Sequence, residues 1–245
     1  MSQTKLLIDA DFFVYRAAST SEEELEFNPD LTVVVGDFIL GKKLVSREIN
    51  NLKSKFDTDD VLLCFTDRVN FRKTVDPSYK GNRTKRKPAG FLKLKNWAME
   101  EWDAIVKPGL EADDVLGILA TNGSLDNFVL ISPDKDMQQI PCRIYDLKNE
   151  YTQTPESAER KLWEQALTGD STDGYPGCPT FGPKRAGLVL DKVESPSDYW
   201  PAVLECYESV GLSEEDALRN LRLARILQVE NWDTKAQEPI LIDPR

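Results

Sequence analysis

The sequence is 245 residues long, 40% hydrophobic and 30% charged, with no histidine and a net charge of −11. That composition suits a folded chain, and the length allows one domain, or one domain with a helical extension, to bury a substantial core. The lack of histidine excludes Ser-His-Asp and Cys-His catalysis and any His-ligated zinc, so a metal would need oxygen ligands, which favours Mg²⁺ or Mn²⁺.

No apolar run approaches the roughly 18–20 residues that span a bilayer. The N-terminus, Met-Ser-Gln-Thr-Lys, lacks the apolar region and cleavage site of a signal peptide. Cys64, Cys142, Cys178 and Cys206 are scattered without Cys-x-x-Cys spacing, as expected of free cytosolic thiols.

In chain order, Lys5–Ile8 is the first expected strand, and Asp9 follows it directly. The acidic run Glu22–Glu26 is most simply a solvated face. Val45, Ile49, Leu52 and Phe56 share one helical face. Val61–Phe65 is a second strand, with Asp67 just beyond it. From Arg68 to Lys95 there are ten Lys/Arg and one acid, Asp76, a net charge of +9 on a chain whose remainder carries −20. Such a basic island on an acidic body is the asymmetry of a local polyanion contact. A helix is predicted over Phe91–Trp102 and a short strand at Ala104–Val106.

Glu111-Ala-Asp-Asp114 then opens a helix that runs to Ala120. Acids in a first turn favour the helix dipole, yet three in four residues exceed what capping requires. Strands follow at Phe128–Ile131, ahead of Asp134-Lys-Asp136, and at Cys142–Tyr145. Strands alternating with helices predict an α/β fold with a mostly parallel central sheet flanked by helices. In such a sheet the carboxyl ends of the strands open into one crevice, so Asp9, Asp67 and Asp134 converge there.

After about Thr152 the pattern turns helical. A stripe of Leu162, Trp163, Ala166 and Leu167 ends at Gly169 and leads into Asp170-Ser-Thr-Asp173. A Gly/Pro-rich stretch to Lys184 precedes helices at Arg185–Leu190, Tyr199–Val210 and Glu214–Leu227, and the tail Asn231–Arg245 reads as irregular. So many acids could not share a cleft unpaired, because like charges raise one another's pKa. Two divalent ions about 4 Å apart would neutralise them and serve phosphodiester hydrolysis.

The segments Leu7-Ile-Asp-Ala10, Phe65-Thr-Asp67, Tyr79-Lys-Gly-Asn-Arg83, Glu111-Ala-Asp-Asp114, Ile131-Ser-Pro-Asp-Lys-Asp136 and Gly169-Asp-Ser-Thr-Asp173 recur in one order. With Pro176–Ala186 behind them, they resemble the 5′-nuclease (flap endonuclease-like) superfamily, and within it the short stand-alone 5′–3′ exonucleases of bacteriophages. The resemblance covers about residues 5–190. It implies a metal-dependent 5′–3′ exonuclease or flap endonuclease acting on DNA in phage-type replication or degradation.

The resemblance puts one Mg²⁺ (or Mn²⁺) near Asp9, Asp67, Glu111 and Asp113 and a second near Asp134, Asp136, Asp170 and Asp173, with Asp114 between the sets. Asp134 is also the acid whose loss should abolish catalysis. Lys80 and Arg83 would contact the scissile phosphate. Arg68, Arg72, Lys73, Lys85, Arg86 and Lys87 would line a helical arch over residues 68–95, with Phe71, Tyr79, Phe91 and Trp97 as candidate stacking faces. The stretch Asp173–Ala186 resembles the family's helix–three-turn–helix, so Gly177, Gly182, Lys184 and Arg185 would grip duplex DNA, with K⁺ as a further ligand of the turns. Gly174 stands where the family usually has Asn, and Thr180 where it often has Gly.

The implied division is an α/β nuclease core over 1–152 and a helical duplex-binding region over 153–245. The implied partners are duplex DNA with a 5′ end or flap, or an RNA–DNA hybrid. A single-strand-binding protein is a further candidate partner. The chain is expected to be monomeric and cytoplasmic, in a host cell if phage-encoded. Three rival readings remain. A haloacid-dehalogenase-like phosphatase would use Asp9-Ala-Asp11, but Phe13 breaks that motif. A PIN-type ribonuclease shares the acids without needing the downstream turns. A DNA-binding protein with a dead site would not need the full acidic set.

Overall fold

The computed structural model describes residues 3–245. Strand β1 (Lys5–Asp9) feeds helix α1 (Ala10–Thr20), and a hairpin of β2 (Glu22–Asn28) and β3 (Leu31–Gly36) leads to α2 (Phe38–Phe56) and β4 (Val61–Phe65). The basic stretch holds one helical turn, α3 (Arg72–Val75), and ends in α4 (Phe91–Glu101). Then come β5 (Ala104–Val106), α5 (Ala112–Thr121), β6 (Phe128–Ile131), β7 (Arg143–Tyr145) and β8 (Glu150–Thr152). Helices α6 (Pro155–Thr168), α7 (Pro183–Leu190), α8 (Tyr199–Ser209) and α9 (Glu214–Ala224) follow, and the tail closes with two short paired strands, β9 (Trp232–Asp233) and β10 (Glu238–Pro239).

The six-stranded sheet runs in the order β5-β4-β1-β6-β7-β8, parallel except for β8. Leu6, Leu7 and Ile8 are fully buried because both sheet faces are covered. Helices α1, α2 and α4 pack on one face around Leu6, Ile8, Leu63 and Ile131. On the other face α5 packs over Leu7, Cys64 and Leu130, joined by Ile226, Leu227 and Trp232 from the far end of the chain. A third cluster holds α6 to α9 together and includes Tyr79.

Most predicted elements stand where the pattern put them, with ends shifted by a few residues. Helix α1 and the β2/β3 hairpin were not foreseen. Glu23–Glu26 is exposed, as expected, and Glu22 half-buried, but the run is strand, paired antiparallel with Thr32–Gly36 so that Glu23, Glu24 and Leu25 stand opposite Val35, Val34 and Val33. Between α3 and α4 the expected arch is built of turns: Pro77, Gly81, Asn82 and Pro88 interrupt any helix there. The tail is not wholly irregular, since Trp232 is buried and pairs with Pro239.

Candidate active site

Strand β1 lies between β4 and β6, with Asp9 level with Cys64 and Ile8 level with Ile131. The three acids that follow these strands, Asp9, Asp67 and Asp134, therefore emerge at one edge of the sheet. Helix α5 brings a second group to the same edge. Its first turn is a capping box, in which Glu111 and Asp114 each accept from the other's backbone N–H. The capping reading of this motif is thus correct for those two acids. Asp113, between them, is left to face the cleft.

The electrostatics show which acids lack compensation. Burial pushes the Asp9 carboxyl up to about 7, reinforced by Asp11 and Asp134 and partly offset by the Ser132 hydroxyl, which donates at 2.9 Å. Asp113 is driven well above its ordinary range by burial of its carboxyl, then by Asp9 and Asp134. Asp136 rises to about 7 through burial and the nearby Asp134, and its Oδ1 is buried with no hydrogen-bond partner. Glu111 goes the other way. Burial opposes its charge, but Lys80 and Arg72 outweigh it and hold the carboxyl down at about 2. Gly109 N–H, at 2.8 Å, lowers Asp67, and in Asp170 burial is outweighed by the Thr172 N–H and Lys135, which lies 3.2 Å away.

This cluster is an all-oxygen donor set whose Asp9, Asp113 and Asp136 hold charge at a cost in the free protein. A hard divalent cation fits it, because it would relieve the repulsion and satisfy the orphaned Asp136 oxygen. Among the described residues no three carboxylates surround a single point as a finished cage. Lysine and arginine occupy several of them instead: Lys80 on Glu111, Arg83 on Asp173 at 2.6 Å, and Lys135 on Asp170.

Lys80 and Arg83 stand at this cleft, as expected. They lie on a turn docked against the 170–174 loop, with Lys80 N–H donating to Asp173 O at 2.7 Å and the Asn82 amide donating to Ser171 O at 2.6 Å. Tyr79 anchors the turn: its hydroxyl donates to Asp173 at 2.8 Å and lies 3.0 Å from Glu111 Oε2. Over the cleft opens a cavity of about 1110 Å³, lined by Asp67, Arg68, Arg83, Lys85, Arg86 and Lys87 among others. Lys73, on α3, is exposed but does not line this cavity.

Four expectations are corrected. Arg72 does not face DNA. It is 3% exposed, and its N–H groups are spent on Asp114, Glu111 and the carbonyls of Leu223 and Arg225. Asp114 is fully buried with both carboxylate oxygens on Arg72, so it supports the cleft without opening into it. Gly177 N–H is buried and donates to Asn220 Oδ1 at 2.9 Å, so it has no proton for a phosphate. Phe71, Tyr79 and Phe91 are core residues, and of the four suggested stacking faces only Trp97 is half-exposed.

The remaining turn residues are open. Gly182, Lys184 and Arg185 are exposed at the start of α7, and Arg185 lies 3.9 Å over the Phe181 ring while donating to Thr180. Gly174 and Thr180 both adopt left-handed backbone, with φ of 81° and 70°. Gly at 174 meets that requirement as well as Asn would, while Thr180 takes it at a cost. Sequence reasoning missed Asp11, Ser132, Tyr79 and Lys135 as parts of the cleft. Asp11 and Ser132 carried a signal, since each is two residues from an acid at a strand end.

The family described as 5′-3′ exonuclease, N-terminal resolvase-like domain, matches residues 4–164. The chain is 30% identical to the exodeoxyribonuclease of Enterobacteria phage T3 and to the exonuclease of Escherichia phage T7, across 98% of this chain and 93% of each of those. Its fold matches the bacteriophage T5 flap endonuclease crystallised with DNA and metal ions, with a TM-score of 0.66 at 18% identity over 90% of this chain and 88% of that one. The T5 5′-exonuclease with bound divalent zinc matches with the same score and identity, over 90% and 89%.

Proposed function

Because this chain belongs to the 5′–3′ exonuclease family, we propose that it hydrolyses DNA phosphodiesters at 5′ ends and 5′ flaps with two divalent ions, Mg²⁺ or in its place Mn²⁺. It is a nuclease of the 5′–3′ exonuclease and flap endonuclease type. The observation that carries the metal assignment is the set of charge-strained carboxylates around Asp134, buried Asp9 and half-buried Asp113 and Asp136, one of them with an orphaned oxygen.

Asp9, Asp67, Glu111 and Asp113 would hold one ion, and Asp134, Asp136, Asp170 and Asp173 the other. When bound, such ions supply an activated water and neutralise charge on the attacking and leaving oxygens of phosphorus. Lys80 and Arg83 donate to the non-bridging oxygens of the scissile phosphate, adding positive charge where the transition state gathers negative charge. In the free protein these two cations sit on Glu111 and Asp173, which keeps them at the cleft until substrate and metal arrive. Ser132 orients Asp9 through its hydrogen bond.

Arg68, Lys85, Arg86 and Lys87, exposed around the cavity, attract the backbone of a strand entering it. Residues 1–152 supply most of the metal-holding acids and both phosphate-binding cations, and 153–245 adds Asp170 and Asp173; from the latter region Gly182, Lys184 and Arg185 grip duplex phosphates, with K⁺ held at the neighbouring turn carbonyls. The test is duplex DNA labelled at either end, incubated with Mg²⁺ or EDTA beside an Asp134→Ala variant. Early release of 5′-terminal products, lost with EDTA and in the variant, is the expected result; no cleavage with any divalent ion would overturn the reading.

A further inference from the structure

A second concave surface, about 720 Å³ in volume, is lined by Lys42, Lys43, Arg47, Asn50, Asn51 and Trp97. Its lining contains one acid, Glu101. On a chain with 42 acidic residues and a net charge of −11, three cations gathered at one concavity are a local inversion of sign. Little neutralises them. Among the described residues Lys42 and Lys43 form no ion pair, and Arg47, 63% exposed, reaches only Glu48 at 3.5 Å, whose other oxygen is 3.0 Å from Arg16.

The aromatic part is built in. Trp97 is braced edge-on by Trp102 with centroids 5.3 Å apart, and the Lys42 ammonium lies 5.4 Å from the Trp97 ring and 5.3 Å from Phe38. Cations, side-chain amides and a half-exposed indole in one groove are the components of sequence-independent single-strand binding.

Its position relative to the arch cavity is the second observation. Leu92, Asn96 and Met99 of α4 line the cavity, whereas Trp97 and Glu101 of the same helix line this groove. A strand leaving one reaches the other by crossing a single helix, about 10–12 Å. On the crest between them sits exposed Lys93, its ammonium 4.3 Å from Phe38.

The geometry points to a track for single-stranded DNA: a 5′ flap that has passed through the basic cavity crosses α4 and lies along α2 against Lys42, Lys43, Arg47 and Trp97. This rests on the nuclease reading above and extends it to flap length.

The test measures binding of duplexes carrying a short 5′ flap of about 3 nucleotides or a long one of about 15, by fluorescence anisotropy with EDTA present. The unaltered protein is compared with Lys43→Gln/Arg47→Gln and with an equal charge change elsewhere, Lys148→Gln/Lys235→Gln. The track predicts roughly tenfold weaker binding of the long flap in the first variant, little change for the short flap, and a salt slope shallower by about 1.4. Equal losses on both flaps, equal losses in both variants, or no loss would each overturn it. Failure of the unaltered protein to cleave any 5′-ended DNA in Mg²⁺ would remove the parent reading instead, so the two failures are separable.

Discussion

Arg72 and Asp114 meet as a two-pronged buried ion pair, with Nη1 2.7 Å from Oδ2 and Nη2 2.8 Å from Oδ1. The same guanidinium donates to Leu223 O at 3.0 Å and Arg225 O at 2.6 Å, and Asp114 accepts from Leu227 N–H at 3.1 Å. One pair therefore ties the start of the basic stretch, the first turn of α5 and the end of α9 together. Removing one partner of such a pair strands a buried charge. Arg72→Ala should lose about 3–5 kcal/mol of stability, read by urea denaturation. A loss below about 1 kcal/mol would mean that the fold does not depend on this junction.

The acidic cluster makes a prediction about pH in the metal-free protein. Asp9 and Asp136 have folded pKa values raised to about 7 from 3.8. Between those values the folded state holds protons that the unfolded state has released, so stability is greatest at the acid end and falls as pH rises through about 7. The lowered acids Glu111, Asp67 and Asp170 lose their contribution only below this window. With EDTA present the unfolding free energy, and with it the melting temperature, should therefore rise as pH is lowered from about 8 to 6, the free energy by on the order of 1 kcal/mol for each group. A flat or opposite trend would show that the cluster is not under charge strain.

Divalent ions should cancel that strain. Mg²⁺ or Mn²⁺ is expected to raise the melting temperature at pH about 8, where repulsion is fully developed. Asp136→Asn, which removes a repelling charge, should stabilise the EDTA-treated protein while shrinking the metal-induced shift. Calorimetric titration of both proteins checks this. An unchanged shift in the variant would remove Asp136 from the metal-binding set.

Lys80 and Arg83 contribute chemically more than structurally. Lys80→Met is expected to lower kcat on 5′-ended duplex by about 10²–10³. The fold should persist, since Glu111 keeps Arg72 and Tyr79 as partners. Single-turnover cleavage with a parallel melting curve separates the two effects. A tenfold or smaller loss in rate would assign Lys80 to positioning Glu111.

Gly169 allows the close approach that shapes the second acid group. At φ 66° a Cβ there would meet Gly177 N at 2.4 Å and Tyr175 O at 2.6 Å. Gly169→Ala should therefore cost about 3 kcal/mol or more and displace the loop that carries Asp170 and Asp173, lowering cleavage as well. Wild-type stability in this variant would show that the two backbones can separate freely.

Much of the architecture was legible along the chain. Buried parallel strands are short, continuous apolar runs, and Lys5–Ile8, Val61–Phe65 and Phe128–Ile131 could be read without tertiary knowledge. Because residues after strand ends share one edge of a parallel sheet, Asp9, Asp67 and Asp134 could be brought together on topology alone. The β2/β3 hairpin escaped because it buries little: Glu22–Asn28 opens with three consecutive acids, and its apolar partners, Val33 to Val35, lie on the other strand.

What only the tertiary structure decided is which charges are spent and which are free. Arg72 and Arg83 stand eleven residues apart in the same basic island, yet one is locked in the core by Asp114 and the other sits at the cleft. Asp113 and Asp114 are neighbours with opposite fates for the same reason. Sequence spacing sets the side of a helix or sheet on which a side chain emerges. Its partner, its burial and so its effective charge depend on segments 42 to 153 residues away, such as Leu223 and Arg225 closing over Arg72.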